Sequence, residues 1–293
     1  MFFLLLSILS STILVMIFKF FPQFKINTFQ AIVVNYIVCV LCGSLVLGRF
    51  PFDSGVISEE WFYPALILGF LFISGFYAVG MTVMHFGLTI ASVLQKMSIL
   101  ISVPFAIYWL KEGTDTTKMI GMVLALAAVI LTNWQDQKKE KIESGSQLWL
   151  WFFPAYAFLV SGAIECILQL THMYFIHSAE DDAEFSSGLF ASAGLIGLTI
   201  LTIQILLGKQ SLDMKSVGAG IALGIPNFFS IYFLLKTFQF WDKSIAIPLN
   251  NVSIVIVSAL LGYFLFKEKL SNINALGVLI AIVSILLISG IVF

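Results

Sequence analysis

The sequence predicts an all-α membrane protein of ten transmembrane helices, arranged as two inverted five-helix repeats. Composition, the spacing of the apolar stretches and an internal match at a fixed offset carry that prediction. Hydrophobic residues make up 60% of the 293-residue chain and charged residues only 11%, with a mean hydropathy of +1.03. A soluble globule runs nearer roughly 45–50% apolar and about 25% charged, so this chain carries more apolar surface than one core could cover and must be solvated by lipid. A net charge of −1 provides no basic footprint for nucleic acid, so no nucleic-acid partner is expected.

A helix needs about 20 apolar residues to cross the hydrocarbon of a bilayer. Such stretches occur between polar breaks at 2–19, 28–48, 61–83, 88–110, 117–135, 147–175, 186–208, 216–237, 244–266 and 271–292. The first has no basic region ahead of its apolar run, so it is read as an uncleaved span. The second holds Asn35-Tyr36 and the pair Cys39 and Cys42, which read as small buried residues rather than a redox or metal pair. The third is separated from the fourth only by the tight junction MHFGLT, and the fourth ends at Lys111-Glu112. The fifth contains Gly121 and runs toward the hydrophilic stretch 136–146. The sixth is long and contains Glu165; the acidic segment HSAEDDAE is read as the loop that follows it. The eighth carries Gly220 and Gly224 in a GxxxG pattern just before Pro226, which points to close helix packing. The ninth holds Pro248 and Asn250-Asn251, and the tenth holds Gly277. All six tryptophans fall at span ends, where an amphipathic ring prefers the interface.

Residues 98–131 match residues 254–287 at an offset of 156, pairing Ser102 with Ser258, Lys111-Glu112 with Lys267-Glu268, Gly121 with Gly277 and Ala125 with Ala281. The chain therefore divides into a first repeat at 1–135, a hydrophilic connecting loop at 136–146 and a second repeat at 147–293. Five is an odd number of crossings, so the repeats are inverted, a common plan in transporters. The Lys-Glu pairs read as anchors of the turn between the fourth and fifth helices of each repeat. Nine Lys residues against five Lys and Arg on the other side favour both termini outside the cytoplasm.

Two five-helix halves, each with a Glu just after its fourth helix and a Gly in its fifth, resemble the drug/metabolite transporter superfamily, and the EamA-type members in particular. The residues that carry the resemblance are VPFAIYWLKE and KMIGMVLALAAVIL in the first half and VSALLGYFLFKEKLSNINALGVLIAIVSILLIS in the second. One departure is Leu260 where Pro104 would find its counterpart. The resemblance implies a secondary transporter or exporter of small metabolites.

Charges at mid-membrane cost about 2.5–3.5 kcal/mol or more, which makes them functional candidates. Two stand out, Lys96 in the fourth span and Glu165 in the sixth. Glu165 shares a helical stripe with Ser161, Gln169 and His172. Lys96 lies beside Ser92, Gln95 and Ser102. Asn35, Tyr36, Ser74, Tyr77, Asn227, Ser230, Asn250 and Asn251 complete a set of polar groups on six helices, which suggests a central wet cavity. Glu165 reads as a proton-coupling carboxylate or as the counter-ion of Lys96. Lys96 in turn reads as an anchor for a substrate anion, as that counter-ion, or as a residue snorkelling to an interface. Within the resembled superfamily, the small multidrug resistance branch carries its coupling carboxylate in span one, whose second-repeat counterpart is span six.

The expectation is therefore an exporter of a small polar metabolite, such as an amino acid or other carboxylate, working by alternating access with protons as the coupling ion. It would lie in the lipid bilayer of a bacterial cell membrane. The alternatives are an intramembrane enzyme and a non-transporting sensor or scaffold. No HExxH, GxSxG or P-loop pattern is present, and neither a cofactor nor a metal is expected.

Overall fold

The structure, a computed structural model, describes residues 2–50, 56–86, 97–113, 115–132, 148–266 and 271–289. Among these there are ten α-helices and no strands: α1 Phe2–Phe24, α2 Thr28–Leu47, α3 Phe62–Phe86, α4 Ile99–Tyr108, α5 Thr116–Thr132, α6 Phe152–Tyr174, α7 Ala179–Leu206, α8 Met214–Phe238, α9 Lys243–Phe266 and α10 Asn272–Ser289. Each falls within or over one of the ten expected spans. Six contain an apolar stretch long enough to cross a bilayer, and the other four contain shorter ones. This is a multi-pass integral membrane protein whose helix order fits two inverted repeats: α5 opens at Thr116 and α10 at Asn272, the offset of the sequence match. The expected start of the fourth span, with Gln95 and Lys96, lies outside the described residues, as do the 136–146 loop and the Lys267-Glu268 pair.

One boundary is corrected. The segment HSAEDDAE is not a loop, because its acidic residues form the first turns of α7. Ser178 caps the helix by accepting from the Asp181 amide, and the Asp181 carboxylate accepts in return from the Ser178 amide, a reciprocal capping box. Glu180, Asp181 and Asp182 then occupy the positive end of the helix dipole. Trp61, just ahead of α3, turns inward at the span end. It is 2% exposed and packs edge-on against Phe185 of α7, over Gly188.

The chain forms two compact units. The first comprises Met1–Ile73 with Ile167–Trp241, and the second Ser74–Cys166 with Asp242–Phe293. Each unit takes helices from both halves of the sequence, and α3 and α6 contribute to both.

In the first unit, α8 packs along α2 and α1, and α2 packs along α7. The GxxxG pattern sets the first of these contacts. A Cβ on Gly220 would stand 2.5 Å from the Ala31 carbonyl oxygen, and one on Gly224 would stand 2.4 Å from Val38 Cβ and 2.8 Å from the Asn35 carbonyl oxygen. Between lipid-solvated helices such close backbone approach replaces the hydrophobic drive available in water. At one end of the unit, buried Gln30 ties the α1–α2 turn to the α7–α8 turn. Its amide nitrogen donates to the Ser211 carbonyl at 2.7 Å, and its amide oxygen accepts from the Asp213 backbone at 3.0 Å. Ser216 donates to Asp213 and holds that carboxyl below its ordinary value, so Asp213 caps α8 as an anion.

In the second unit α5 lies against α10, where Gly121 leaves no room for a side chain: its Cβ would meet Ile288 Cγ1 at 2.8 Å. Glu112 anchors something other than the turn between helices four and five. Its carboxylate accepts from the Lys243 and Ser244 backbone amides at 3.0 and 2.7 Å, capping α9 from a distance of 131 residues in sequence, with the Lys243 ammonium at 3.9 Å. The chain reaches that position through Lys111 at φ 55°, a left-handed conformation uncommon for a non-glycine residue.

Two substitutions follow from this packing. Gly224→Val should cost about 1–3 kcal/mol by overpacking, read as a lowered unfolding midpoint in detergent, whereas Gly218→Ala, with open space at its Cβ, should leave the midpoint near wild type. Glu112→Ala should cost about 0.5–2 kcal/mol by uncapping α9. An unchanged midpoint for Glu112→Ala would show that the cap contributes nothing.

Candidate functional site

In the second unit, Glu165 lies past the middle of α6, partly buried. Its Oε1 accepts from Ser98 Oγ at 2.9 Å and from Asn251 Nδ2 at 3.1 Å. Ser98 opens α4 and is fully buried, and Asn251 lies on α9 at 6% exposure. Two helices, α4 and α9, thus converge on one carboxyl oxygen carried by a third, α6, all within the second unit. Two donors on a single oxygen orient the carboxyl within the helix contact. Ser102 and Asn250 are buried on the same two helices as Ser98 and Asn251, and Ser74 of α3 accepts from the Tyr156 hydroxyl of α6 at 3.1 Å. Tyr77 has an exposed ring, edge-on to Phe153.

In the first unit a smaller cluster joins α2 to α8. Asn35 Oδ1 accepts from Asn227 Nδ2 at 3.1 Å and from the Cys39 thiol at 3.7 Å, and the same thiol donates to the Gly224 carbonyl at 3.3 Å. Pro226 lies two residues after Gly224 and cannot donate a backbone hydrogen bond. Ser230 Oγ donates to the Asn227 carbonyl, and the Ser230 carbonyl accepts from Ser7 of α1, both at 2.8 Å. Tyr36 is buried and stacks on Phe190. Cys39 and Cys42 are buried thiols, and Cys39 serves as a hydrogen-bond donor within the helix contact. Among the described residues no group of three or more His, Cys, Asp and Glu is placed to hold a metal ion.

A third polar group lies at the end of the first unit where α6 closes, α7 opens and α8 closes. Asp182 is fully buried, and its Oδ2 accepts from Gln239 Nε2 at 2.5 Å. His172, in the last turn of α6, lies 3.8 Å away at Nε2 and packs edge-on against Phe238. Just outside it, Arg49 pairs with Glu180 at 3.1 Å and with Glu184. The Glu180 hydrogen bond, with the Glu184 charge behind it, pushes the guanidinium above its ordinary value. That exposed pairing is screened by water and contributes little.

Comparison with known proteins identifies the frame that holds these clusters. Residues 174–290 match the model of the EamA-like transporter family. An uncharacterized protein of Haemophilus influenzae is 25% identical, covering 96% of this chain and 95% of its own. A solved crystal structure superposes with a TM-score of 0.74 at 14% identity, over 99% of this chain and 96% of that one, which establishes a shared fold. The family match points to a transporter of the drug/metabolite type, and the whole-chain likeness to a shared fold.

Within this EamA-like frame the expected residues separate into groups. Glu165 and Asn251 meet directly, as do Asn35 and Asn227, whereas Gln95 and Lys96 lie outside the described residues. The Ser161–Glu165–Gln169–His172 stripe is divided, its first two residues falling in the second unit and its last two in the first. Gln169 is fully buried. Sequence reasoning missed Ser98, although it completes the helical series Ser92, Gln95, Ser98, Ser102. It also missed Asp182, whose signal was the S-x-x-D cap followed by a buried face of Asp182, Ser186, Leu189 and Ala193.

Asn35→Ala should leave the Asn227 amide and the Cys39 thiol without their shared acceptor and cost about 1–2 kcal/mol. Unfolding of the purified variant in mixed micelles checks this, and a stability equal to wild type would mean that water takes over the acceptor's role.

Proposed function

We propose that this protein is a secondary active transporter of a small polar metabolite, such as an amino acid or other carboxylate, working by alternating access as an exporter. Its site is the bilayer of a bacterial cell membrane, and protons drive the exchange through Glu165. The observation that most supports this reading is the convergence of Ser98 and Asn251 on Glu165 Oε1 inside a membrane-spanning helix. A carboxyl at that depth is costly to keep charged. It is held by neutral donors that can orient it in either protonation state, since a protonated carboxyl retains acceptor capacity.

In mechanism, the protonated and ionised forms of Glu165 differ by one charge in a low-dielectric setting, so the two forms favour different packings of the helices around them. Binding a proton from one side and releasing it to the other then couples the gradient to the conformational cycle. The match of residues 174–290 to a transporter family favours this reading over an intramembrane enzyme.

The test is transport in proteoliposomes with an imposed proton gradient and a panel of labelled amino acids and carboxylates. At least one member should show gradient-driven uptake and counterflow. Glu165→Gln, which keeps an acceptor for Ser98 and Asn251, should reduce gradient-driven uptake to the level of empty liposomes while counterflow persists. Wild-type uptake by Glu165→Gln would sink the coupling role, and absence of counterflow across the panel would sink the substrate class.

A further inference from the structure

The Asp182 network has no part in the Glu165 reading. Among the described residues Asp182 is the only acidic residue whose side chain is fully buried. Burying an ionised carboxylate costs several kcal/mol unless hydrogen bonds and an opposite charge compensate it. Capping does not explain the burial, because Ser178 and Asp181 already complete the capping box of α7.

The geometry around the carboxyl is asymmetric. Oδ2 accepts from Gln239 Nε2 at 2.5 Å. Oδ1 is buried, accepts no hydrogen bond among the described residues, and faces His172 Nε2 at 3.8 Å. That separation exceeds hydrogen-bond length but suits a shared charge or a single bridging water. Helix ends reinforce the arrangement: the imidazole sits in the last turn of α6 and the carboxyl in the first turn of α7, each where the local dipole favours its charged form. His172 is only 8% exposed and is held edge-on to Phe238 at 5.5 Å, so the ring is positioned rather than free to turn.

Every neighbouring element adds a titratable or charged group. Asp181 is the adjacent residue on α7, and Glu180 and Glu184 are engaged by Arg49. From α8, the Lys236 charge acts on Asp182 and the Asp182 charge acts on Tyr232, with the Lys236 ammonium 5.3 Å from the Tyr232 ring centre. Water is close, because His177 and Glu60, at 71% and 70% exposure, lie on the linking segments at this same end of the unit.

We propose that Asp182 and His172 together bind one exchangeable proton, forming a second proton site in the unit that does not contain Glu165. The proton comes from bulk water, is held on His172 Nε2 or Asp182 Oδ1, and returns to water; no other bond forms or breaks. Its exchange changes the charge of a buried pair at the junction of three helix ends, and so changes how tightly α6 and α8 close on the start of α7. This site does not depend on the transport reading, since its titration is measured on the protein itself and Glu165→Gln tests that reading separately.

The experiment is a pH titration of full-length protein labelled with 15N at the histidine side chains, in nanodiscs. There are three histidines, and His172→Gln assigns the relevant signal. His172 should titrate between about pH 4 and 9, and Asp182→Asn should move its midpoint by about one pH unit or more. Asparagine keeps the carbonyl oxygen that Gln239 requires, so this variant is designed to preserve the fold. A His172 signal that does not titrate in that window, or a midpoint unmoved by Asp182→Asn, overturns the proposal. Should Asp182→Asn fail to fold, infrared difference spectra of wild type and His172→Gln decide the matter. The protonated-carboxyl band that moves in frequency in Asp182→Glu must appear at a different pH in His172→Gln, and a band appearing at the same pH overturns the pair.

Discussion

Hydrocarbon offers no hydrogen bonds, and that constraint governs this molecule from backbone to side chain. A chain with 60% hydrophobic residues can enter a bilayer only with its amides paired internally, which leaves helices as the economical solution for segments of this length. The same constraint acts on the few polar side chains that remain. Asn35 is satisfied by Asn227 from another helix, Glu165 by Ser98 and Asn251 from two others, and Gln30 by a distant turn. Polar groups therefore act as cross-links here, and their positions define where helices of the two sequence halves meet within each unit.

Lipid also removes the usual reason for helices to associate, since their apolar faces gain little by leaving lipid for one another. Contact must come from shape. Gly220 and Gly224 let α8 lie against the α2 backbone, Gly121 does the same for α5 against α10, and Gly188 receives Trp61. Close approach then makes the polar cross-links possible. The Cys39 thiol reaches the Gly224 carbonyl because no side chain stands between the two helices at that level. Small residues and polar residues are two parts of one packing device, and the candidate sites sit where both occur together.

Charged groups follow a different logic. Glu112 is used structurally, as a remote cap for α9, which explains why a Lys-Glu pair can mark the fold without marking the chemistry. Glu165 and Asp182 are costlier placements. One lies past the middle of α6 with Ser98 and Asn251 donating to it, and the other lies at a helix junction beside an imidazole. The two occur in different units.

Helix number, helix order and the offset between the two halves were set by the sequence alone, because hydropathy over a bilayer's thickness is a local property that needs no partner. The GxxxG contact and the candidacy of Glu165 were legible for a similar reason, since a glycine pair or a mid-span charge has few other uses in lipid. Partners were not legible. Nothing local says that Glu112 caps a helix 131 residues away, that Ser98 rather than Ser102 reaches Glu165, or that the polar stripe of α6 divides between two units. Asp182 was misread because local polarity places such a residue in a surface loop, whereas in the folded protein neighbouring helices cover it. Burial and pairing depend on which helices come together, and only the tertiary structure decides that.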